Sequence, residues 1–538
     1  MKLKELFFLL LLVLPATFAL WHPGFFGASD DLHIAWLQQL DQALKMGQFP
    51  PRYVPDLSYG FGYPLFNFVF PLPYYLGEIF HIIGFSFVYS VKAVFIFSLL
   101  ASAITMFWLL KYFGRSIVAM AGAVLYTYTP YRSNDIYNRG AIGEALAFVF
   151  LPLLTLSVLR AFDGNESKRM RWIGVGGLSV TGLILTHNIV SYMTMPFVFL
   201  LALMLLKKIT LKSMLLFIIG LMGCVYFWLP ALLDSSLMKY DTVFNFIDHF
   251  PTLRQLVTPY WGYGASVPGP YDGMSFFIGE VNLLVIALTF IYFVWKYKKL
   301  NKKFKSILFW SFGVLLVCLV MMNFRSTLLW QKIPLLPYFQ FPWRFLTLVT
   351  FVSSLMVIII NRIRFSFVIS LVIIALSIGL NYSRFKPHDF LLRYDDYFLN
   401  RYIPVPTPSK DYQQTQEEYL RLPKTTSVRP NTLYPRVFPP QMVSNLVMIN
   451  SLDASFDVTV EKESTELNYN KYLFPGWYGK IDNLPLVLKA GVPFGQIQFT
   501  VPAGKHHISI NYQETSFRLF LDIVSLVTLF IGIGCLFL

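Results

Sequence analysis

The sequence predicts a polytopic α-helical membrane protein with about 12 transmembrane helices and a C-terminal extracytoplasmic β-sandwich-like domain. Three observations lead to this fold class: overall composition, charge distribution, and a change in composition after residue 380. Hydrophobic residues make up 56% of the 538 residues and charged residues only 14%, and the mean hydropathy is +0.55. A soluble globular protein has about 45–50% apolar and about 25% charged residues. The composition therefore excludes a soluble enzyme, a disordered regulator and a coiled coil.

Apolar runs bounded by charged residues, Gly, Pro or Asn are the candidate membrane spans. A helix that crosses the bilayer needs roughly 20 apolar residues, and the runs at 116–130 and 172–187 are short for that. The first run could instead be a cleaved signal peptide, because it combines a basic start with a short apolar core and small residues. The runs are 5–20, 86–110, 116–130, 141–160, 172–187, 189–206, 213–232, 275–295, 306–322, 345–361, 363–380 and 517–538.

The charge distribution predicts how the spans are oriented. Cytoplasmic segments are enriched in Lys and Arg, so Lys2 and Lys4 place the N-terminus in the cytoplasm. On that orientation, 19 of the 44 basic residues but only Glu5, Asp163 and Glu166 of the 29 acids lie in inner segments. The net charge of +15 is then a topological signal, and no nucleic-acid partner is expected. The inner basic residues are Lys2, Lys4, Lys111, Arg115, Arg160, Lys168, Arg169, Arg171, Lys207, Lys208, Lys212, Lys296, Lys298, Lys299, Lys302, Lys303, Lys305, Arg362 and Arg364.

Composition divides the chain into a transmembrane domain over 1–380, an outer domain over 381–516 and a last span at 517–538. Residues 382–440 are rich in Pro, Tyr and Arg, which indicates an irregular connection. From residue 441, stretches such as SFDVTVEKES, GQIQFTVPAG and KHHISINYQ alternate apolar and polar residues. Turn signals at Pro475-Gly476 and Ala503-Gly504 separate these stretches, which is typical of antiparallel strands. The predicted location is the cell membrane, with residues 21–85 and 381–516 outside the cytoplasm.

Several kinds of chemistry have no motif in this chain. Cys224, Cys318 and Cys535 fall within apolar runs, where small buried side chains are a better interpretation than redox or metal chemistry. No Walker A sequence, dinucleotide glycine fingerprint, HExxH motif or GxSxG motif is present. Nucleotide-driven chemistry at the inner face is therefore not expected.

The first outer loop, residues 21–85, begins with an acidic pair, Asp30 and Asp31, after Ser29. An amphipathic run to Gly47 follows, with Leu32, Trp36, Leu40 and Leu44 forming an apolar stripe and His33 and Asp41 outside it. This spacing predicts a helix lying in the membrane interface. Ser29 is then either an N-cap whose helix dipole the acids complement, or the start of a catalytic site. In the second interpretation the two carboxylates act on a substrate, alone or with a divalent cation such as Mg or Mn.

An aromatic segment follows, PPRYVPDLSYGFGYPLFNFVFPLPYYL. It either lines a groove for a lipid chain or a sugar, or forms an interfacial aromatic belt.

Other candidate residues lie where predicted spans meet on the outer side. Two Arg residues at a membrane surface can bind a phosphate, although pairing with the nearby acids is an alternative. An ionisable residue just inside a span, as in IGEALAF, is a functional candidate. The His in THNIVS is more typical of a structural residue, and the Arg in YFQFPWRF can bind a lipid headgroup or the phosphate of a lipid-linked substrate. These candidate substrate-binding residues, together with His33, are Arg132, Asp135, Arg139, Glu144, His187 and Arg344.

Taken together, these motifs resemble the 6-pyruvoyl-tetrahydropterin synthase-related, YfhO-like family of bacterial membrane proteins. The resemblance rests on GASDDLHIAWLQQL, TPYRSNDIYNRGAIGEALAFVFLPLL, LTHNIVS and YFQFPWRF, and continues in YLFPGWYGKIDN and VPAGKHHISINY. Such proteins look like GT-C glycosyltransferases, which transfer a sugar from a polyprenyl-phosphate carrier on the outer face. The resemblance implies a GT-C-like fold over 1–380 and a catalytic base in the first outer loop, where Asp30 and Asp31 stand.

The residue inventory is consistent with that chemistry. An acceptor hydroxyl needs a base, which a carboxylate supplies, and a departing lipid phosphate needs charge stabilisation from Arg or a metal. The leading hypothesis is therefore transfer of a sugar from a lipid-linked donor to a glycan, lipid or protein acceptor. The alternatives are a transporter or flippase of lipid-linked glycans, marked by ionisable groups deep within spans, and a non-catalytic cell-envelope scaffold.

Overall fold

Helices account for most of the chain. The structure, a computed structural model, describes residues 2–162, 168–206, 211–239, 245–415 and 421–538. The helices of the N-terminal half are α1 (Leu3–Val13), α2 (His33–Lys45), α3 (Leu65–Phe68), α4 (Leu72–Ile82), α5 (Phe87–Lys111), α6 (Ser116–Thr127), α7 (Pro130–Ser133), α8 (Ile142–Ala161), α9 (Arg169–Thr186), α10 (Asn188–Leu205), α11 (Leu211–Met222) and α12 (Val225–Asp234). The remaining helices are α13 (Leu253–Val257), α14 (Glu280–Lys296), α15 (Lys302–Met321), α16 (Thr327–Lys332), α17 (Leu346–Leu355), α18 (Ser366–Asn381), α19 (Asp395–Tyr402), α20 (Lys410–Thr415) and α21 (Ser516–Gly534).

The predicted membrane spans are present as helices. Within the described residues, nine helices are long and apolar enough to cross a membrane, or ten if Met214–Met222 and Val225–Leu237, bent by 67°, form one span. The other two predicted spans correspond to α9 and to the 12-residue α6. Each predicted run thus coincides with a helix or a helix pair, which confirms a polytopic helical membrane protein.

Helix α6 is too short to cross a bilayer by itself. Its 12 residues extend about 18 Å at 1.5 Å per residue, whereas the hydrocarbon core is about 30 Å thick. The segment that follows, 128–141, is buried throughout. Irregular backbone at this depth is tolerated only when protein surrounds it. The turn after α6 therefore lies recessed within the helix bundle.

The ends of the spans that were predicted to face the cytoplasm lie together. Lys111 forms an ion pair with Glu5 at 3.4 Å, and the Arg115 backbone N–H donates to Asn361 Oδ1 at 2.8 Å. The end that bears these residues is called the inner end below, and the end that bears residues 21–85 the outer end. The orientation of the two ends in a membrane stays a prediction. Asp163, Glu166, Lys207 and Lys208, and the side chain of Lys212, lie outside the described residues.

The helix after the acidic pair differs from the prediction. Helix α2 begins at His33 with Leu32 in the N-cap position, and no side chain caps it, so the interpretation of Ser29 as its N-cap is wrong. Asp41 and His33, on the face predicted to be polar, are buried because α4, α5 and α19 pack around α2. Helix α2 is therefore enclosed by the fold and does not lie free in the membrane interface.

The connector predicted as irregular contains short elements that fold back over the first outer loop. Strand β2 (Phe390–Arg393) pairs antiparallel with β1 (Phe25–Phe26). The next helix, α19, begins at Asp395, whose carboxylate also accepts hydrogen bonds from the first backbone N–H groups of α5, at 3.0 and 2.8 Å. The connector therefore covers the loop that bears the acidic pair.

The C-terminal domain is one antiparallel sheet built on two long strands. Strands β5 (Asp453–Tyr472) and β9 (Gln496–Tyr512) pair along almost their whole length, with a register shift between Val460 and Ser464. The other strands are β3 (Val437–Phe438), β4 (Val443–Asn450), β6 (Trp477–Ile481), β7 (Leu484–Leu486) and β8 (Lys489–Ala490). Strands β4 and β6 flank one half of the β5–β9 ribbon, while β3 and β8 flank the other. This arrangement confirms a C-terminal β domain, and its location outside the cytoplasm stays a prediction.

One predicted turn in this domain is a bend. Gly504, at φ +126°, lies inside β9 opposite Val460, where the register with β5 shifts. The chain therefore changes direction without leaving the sheet, and the expectation that Ala503-Gly504 separates two strands is wrong. The turn signal at Pro475-Gly476 is confirmed, because it immediately precedes β6.

A buried ionic network joins the C-terminal helix to the first outer loop. Arg52, only 1% exposed, donates to Glu514 Oε2 at 2.7 Å and to Asp522 Oδ1 at 2.8 Å. Arg518 pairs with Asp234 of α12 at 2.5 Å. The two pairs of Arg52 join the loop to α21 and to the residue that precedes it by two positions, and the pair of Arg518 joins α21 to α12.

Candidate functional site

The structure separates the two adjacent acids of the first outer loop. Asp31 is buried, with 7% of its surface exposed, and its Oδ1 accepts a hydrogen bond from the Tyr402 hydroxyl of α19. Burial raises the pKa of Asp31, although the bond from Tyr402 and the charge of Arg401 act in the opposite direction. Asp31 therefore holds α19 in place over the loop.

Asp30 has a different environment. Its side chain is partly exposed, and within the described part of the chain its carboxylate makes no hydrogen bond. Its backbone N–H donates to the Arg139 carbonyl at 2.7 Å, and the Ser29 N–H donates to the Asn138 carbonyl at 3.1 Å. These bonds fix the acidic turn against the recessed segment after α6. Asp30 is thus a positioned carboxylate with free acceptor oxygens.

The recessed segment forms a π-helical turn over Asn134–Arg139, a rare geometry that occurs often at functional sites. Gly140 follows at φ +73°, and a Cβ there would meet Ala28 Cβ at 3.0 Å. Glycine therefore permits both the left-handed backbone and the close approach of the acidic turn.

Arg139 lies at the centre of a buried charge cluster. Its Nη1 donates to Asp135 Oδ1 at 2.6 Å and to Glu144 Oε2 at 2.7 Å. The four-residue spacing of Asp135 and Arg139 puts both on one side of the turn, and α8 supplies Glu144 in its first turn. Within this cluster one guanidinium faces two carboxylates.

Further contacts hold Glu144 and Arg139 in this cluster. Glu144 Oε1 accepts from the Tyr131 hydroxyl at 2.6 Å and from the Thr347 hydroxyl. The Arg139 guanidinium lies 4.7 Å from the centre of the Trp343 ring. The two oxygens of Glu144 therefore have strong partners, and this carboxylate is held in one geometry.

Arg344 is close enough to this cluster for its charge to interact with Arg139, Glu144 and Asp30. Its Nη1 donates to the Phe339 carbonyl at 2.9 Å and to Gln340 Oε1 at 3.0 Å. Its Nε is buried and has no hydrogen-bond partner among the described residues. Because these two partners are neutral, Arg344 has no ion-pair partner among the described residues, and its guanidinium can bind an anionic ligand.

The aromatic segment of the first outer loop links the two histidines of the site. His33 Nδ1 and the Tyr74 hydroxyl share a hydrogen bond of 2.6 Å. Phe70 stacks at 5.1 Å on His187, whose Nδ1 accepts the Val190 N–H and caps α10. His187 thus has a structural role, as the N-cap of α10, which agrees with the interpretation favoured by the sequence. The charges of Asp30 and Arg139 also act on His33.

We expect His33 to make stability depend on pH. Burial lowers the pKa of His33 to about 4, whereas an unfolded His has a pKa of about 6.5. The unfolded state therefore binds the proton first, so stability is fully present above pH ~6.5 and falls by about 3 kcal/mol towards pH ~4. Apparent unfolding temperatures in detergent between these pH values will fall less steeply for His33→Gln than for the unaltered protein.

The pH dependence of the unaltered protein is the reference for this measurement. Equal slopes for His33→Gln and the unaltered protein would contradict the assignment to His33.

Arg132 makes no hydrogen bond to the cluster among the described residues, although its charge and that of Asp135 interact. Its Nη2 donates to Ser102 Oγ at 3.0 Å, and its guanidinium packs 4.3 Å from the centre of the Phe148 ring. Nε and Nη1 of Arg132 are buried without a partner among the described residues. Since the segment after α6 is recessed, Arg132 is buried within the helix bundle and is not exposed at the surface. The expectation of two neighbouring arginines at the surface is wrong for this reason.

Four contributors to the site were not found from the sequence. Tyr131 and Trp343 lie within motifs that were singled out, but aromatic residues are too common in this chain to mark a site. Thr347 and Tyr402 contact residues more than 200 positions away, so no local pattern identifies them.

The donor set does not suit a metal held by the protein alone. Across the described residues, no group of three or more His, Cys, Asp or Glu side chains could hold a metal ion. Asp31, one of the two expected ligands, is turned to Tyr402.

The fold and the site define a polytopic helical membrane protein with a C-terminal β domain and, at its outer end, a recessed site of charged residues. No family model matches the chain. It is similar to an uncharacterized protein of Lactococcus lactis subsp. cremoris (strain MG1363), with 25% identity over 338 residues, which are 57% of this chain. The chain spans about half, 52%, of the length of that relative. The resemblance to the YfhO-like family stays a prediction.

Among solved structures, the chain is similar to the arabinofuranosyltransferase AftD from Mycobacteria. The TM-score is 0.45 and the identity 16%, over 72% of this chain and 27% of that one. It is also similar to the apo oligosaccharyltransferase of Archaeoglobus fulgidus, with a TM-score of 0.42 and 11% identity over 77% of this chain and 57% of that one. At these scores neither likeness bears on activity or substrate.

Proposed function

We propose that this protein is a membrane glycosyltransferase of the GT-C type, which transfers a sugar from a polyprenyl-phosphate-linked donor to a glycan, lipid or protein acceptor. The observation that carries the proposal is the placement of Asp30, whose carboxylate makes no hydrogen bond among the described residues and whose charge interacts with those of Arg139 and Arg344. The motif resemblance to YfhO-like proteins of the bacterial cell membrane supports the same reaction.

In the proposed reaction, Asp30 acts as the general base. It takes the proton of the acceptor hydroxyl while that oxygen forms a bond to the anomeric carbon of the sugar. The bond between that carbon and the donor phosphate oxygen breaks, and its electron pair leaves with the lipid phosphate. Asp30 suits this role better than Asp31, because Tyr402 already occupies an oxygen of Asp31.

The two arginines of the site have different roles in this proposal. Asp135 and Glu144 neutralise Arg139, so it positions the turn that holds Asp30. Arg344 has neutral partners and an unsatisfied Nε, so it is the phosphate-binding residue. A preorganised cation of this kind stabilises the charge that develops on the leaving phosphate.

We expect Arg344→Gln to weaken use of the donor. A hydrogen bond to a charged group contributes about 1.5–3 kcal/mol, which corresponds to a loss in kcat/KM of roughly 10- to 100-fold at 1.4 kcal/mol per decade. Initial rates of sugar transfer against donor concentration, measured in proteoliposomes, test this. Arg325→Gln is the matched control, because Arg325 is an exposed arginine of the same end and should leave kcat/KM unchanged. An unaltered kcat/KM in Arg344→Gln would remove Arg344 from the phosphate site.

A transporter of lipid-linked glycans is the second candidate function, favoured by one observation. Arg132 is completely buried in the bundle with two unpartnered nitrogens among the described residues, and ionisable groups at such positions often mark transport pathways. An assay in liposomes that contain a lipid-linked glycan distinguishes the two functions. Movement of the lipid between leaflets without sugar transfer would support the transporter, and transfer without movement would support the enzyme.

A further inference from the structure

A cavity of about 460 Å³ lies at the inner end of the bundle, opposite the end that bears Asp30. Helices α1, α5, α8 and α9 each contribute to its wall. The residues around it are Lys2, Glu5, Phe107, Trp108, Lys111, Tyr112, Leu156, Arg160 and Trp172. Its lining therefore combines three cations and one anion with aromatic and aliphatic side chains.

The single acid of the cavity is already paired. Glu5 accepts from the Lys2 backbone N–H at 2.9 Å and from the Ser116 hydroxyl at 2.5 Å, and Lys111 lies 3.4 Å from it. Among the described residues, these contacts leave the positive charges of the Lys2 side chain and of Arg160 uncompensated. The cavity consequently has a net positive charge and favours an anion.

Arg160 is the residue best placed to bind that anion. Its guanidinium lies 4.3 Å from the centre of the Tyr112 ring and 5.8 Å from that of Trp172. Its Nε is buried and makes no hydrogen bond within the described residues. An arginine oriented by two rings, with a donor unused, is suited to the planar recognition of a phosphate.

The remaining wall is apolar. Phe107 and Leu156 are buried, and Trp108, 41% exposed, opens this side of the cavity towards the surface of the bundle. A ligand that fills the cavity therefore needs an anionic group at one end and an apolar part at the other. Basic pockets between helix ends on the cytoplasmic side are known to bind anionic lipid headgroups.

We propose that this cavity binds the phosphate group of an anionic membrane lipid, with its acyl chains along Trp108. The lipid phosphate accepts from Arg160 and Lys2, and so joins the inner ends of α8 and α1. Helix α8 also provides Glu144 at its other end, so the lipid stabilises the helix that anchors the outer site. The inference does not depend on sugar transfer.

Lipid titration of the full chain tests the proposal, read out by native mass spectrometry in detergent. The probes are dioleoylphosphatidylglycerol, the zwitterionic dioleoylphosphatidylcholine, and inorganic phosphate as competitor. Each basic residue near a membrane surface contributes about 1 kcal/mol, or a factor of about five, to binding of anionic lipid. We therefore expect phosphatidylglycerol to bind at least about five-fold tighter than phosphatidylcholine.

Substitutions of residues in the cavity wall test whether the lipid binds there. Arg160→Gln and Lys2→Gln should each weaken phosphatidylglycerol binding by about five-fold, whereas Lys299→Gln, at an exposed residue of the same end outside the cavity, should not. Lys2 lies at the exposed end of α1, so its variant keeps the test valid even if Arg160→Gln does not fold. Equal affinity for the two lipids, or unchanged binding in both cavity variants, would overturn the proposal. Displacement of the lipid by millimolar inorganic phosphate would show that the site takes free phosphate, and would also overturn it.

Discussion

Asp30→Asn will lower the kcat of sugar transfer by about 10²- to 10⁴-fold, the usual contribution of a general base. The Asn side chain has about the same size as that of Asp but cannot take the proton from the hydroxyl of the sugar acceptor. Because the Asp30 side chain makes no hydrogen bond within the described part of the chain, the variant should fold like the unaltered protein. Transfer from a polyprenyl-phosphate-linked donor in proteoliposomes, with the unfolding temperature measured in parallel, tests both statements.

The neighbouring acid is the matched control for this experiment. Asp31→Asn weakens the bond with Tyr402 that holds α19 over the loop, so we expect a lower unfolding temperature and a much smaller fall in kcat. Full activity in Asp30→Asn would remove the proposed base. Full activity in both variants would favour the transporter or a non-catalytic scaffold, since neither needs an outer carboxylate.

Arg139→Met will destabilise the protein by about 3–5 kcal/mol, the range found when one partner of a buried ion pair is removed. The cause is the pair of carboxylates left behind, Asp135 and Glu144, which are both fully buried. Chemical unfolding in detergent measures the change in the free energy of unfolding. Arg325→Met, at an exposed position, should change it by less than about 0.5 kcal/mol.

A second substitution shows whether the loss of stability in Arg139→Met comes from lost charge or from lost packing. If uncompensated negative charge is the cause, Glu144→Gln added to Arg139→Met should recover part of the lost stability, because one buried charge fewer remains. Coupling between residues of one ionic network is typically 0.5–3 kcal/mol in magnitude, roughly the size of the expected recovery. Strictly additive losses would show that the packing of Arg139 against Trp343 outweighs its ion pairs.

Hydropathy was sufficient to locate the helices, because a helix that crosses the bilayer needs roughly 20 apolar residues. Each of the twelve apolar runs became a helix or a bent pair, including 213–232, which contains the break between α11 and α12. The same reasoning could not show that α6 is recessed, because depth depends on what surrounds a segment and not on its composition. The consequence is clear at Arg132, which the sequence suggests is superficial and which the fold buries beside Ser102.

In the β domain and the connector, too, some features follow from the sequence and others depend on the tertiary structure. Alternation correctly identified strands in 453–512, but a glycine that bends a strand and one that ends it look alike in sequence. At Gly504 pairing with β5 continues on both sides, and only that partner distinguishes the bend from a turn. In the connector, β2 and α19 are too short to have a periodic signal, and they form because the first outer loop offers them a surface.

The order of residues alone determines that this chain spans a membrane repeatedly, has a β domain after residue 441, and places an acidic pair and several arginines at the ends of its spans. These properties follow from local hydropathy, alternation and charge, which neighbouring residues in the chain define. Tertiary packing decides that Asp31 binds Tyr402, that the Asp30 carboxylate makes no hydrogen bond among the described residues, and that Arg139 pairs with two carboxylates whereas Arg344 has neutral partners. Each of these outcomes depends on a partner distant in sequence or on the depth of burial, and neither is encoded in a local pattern.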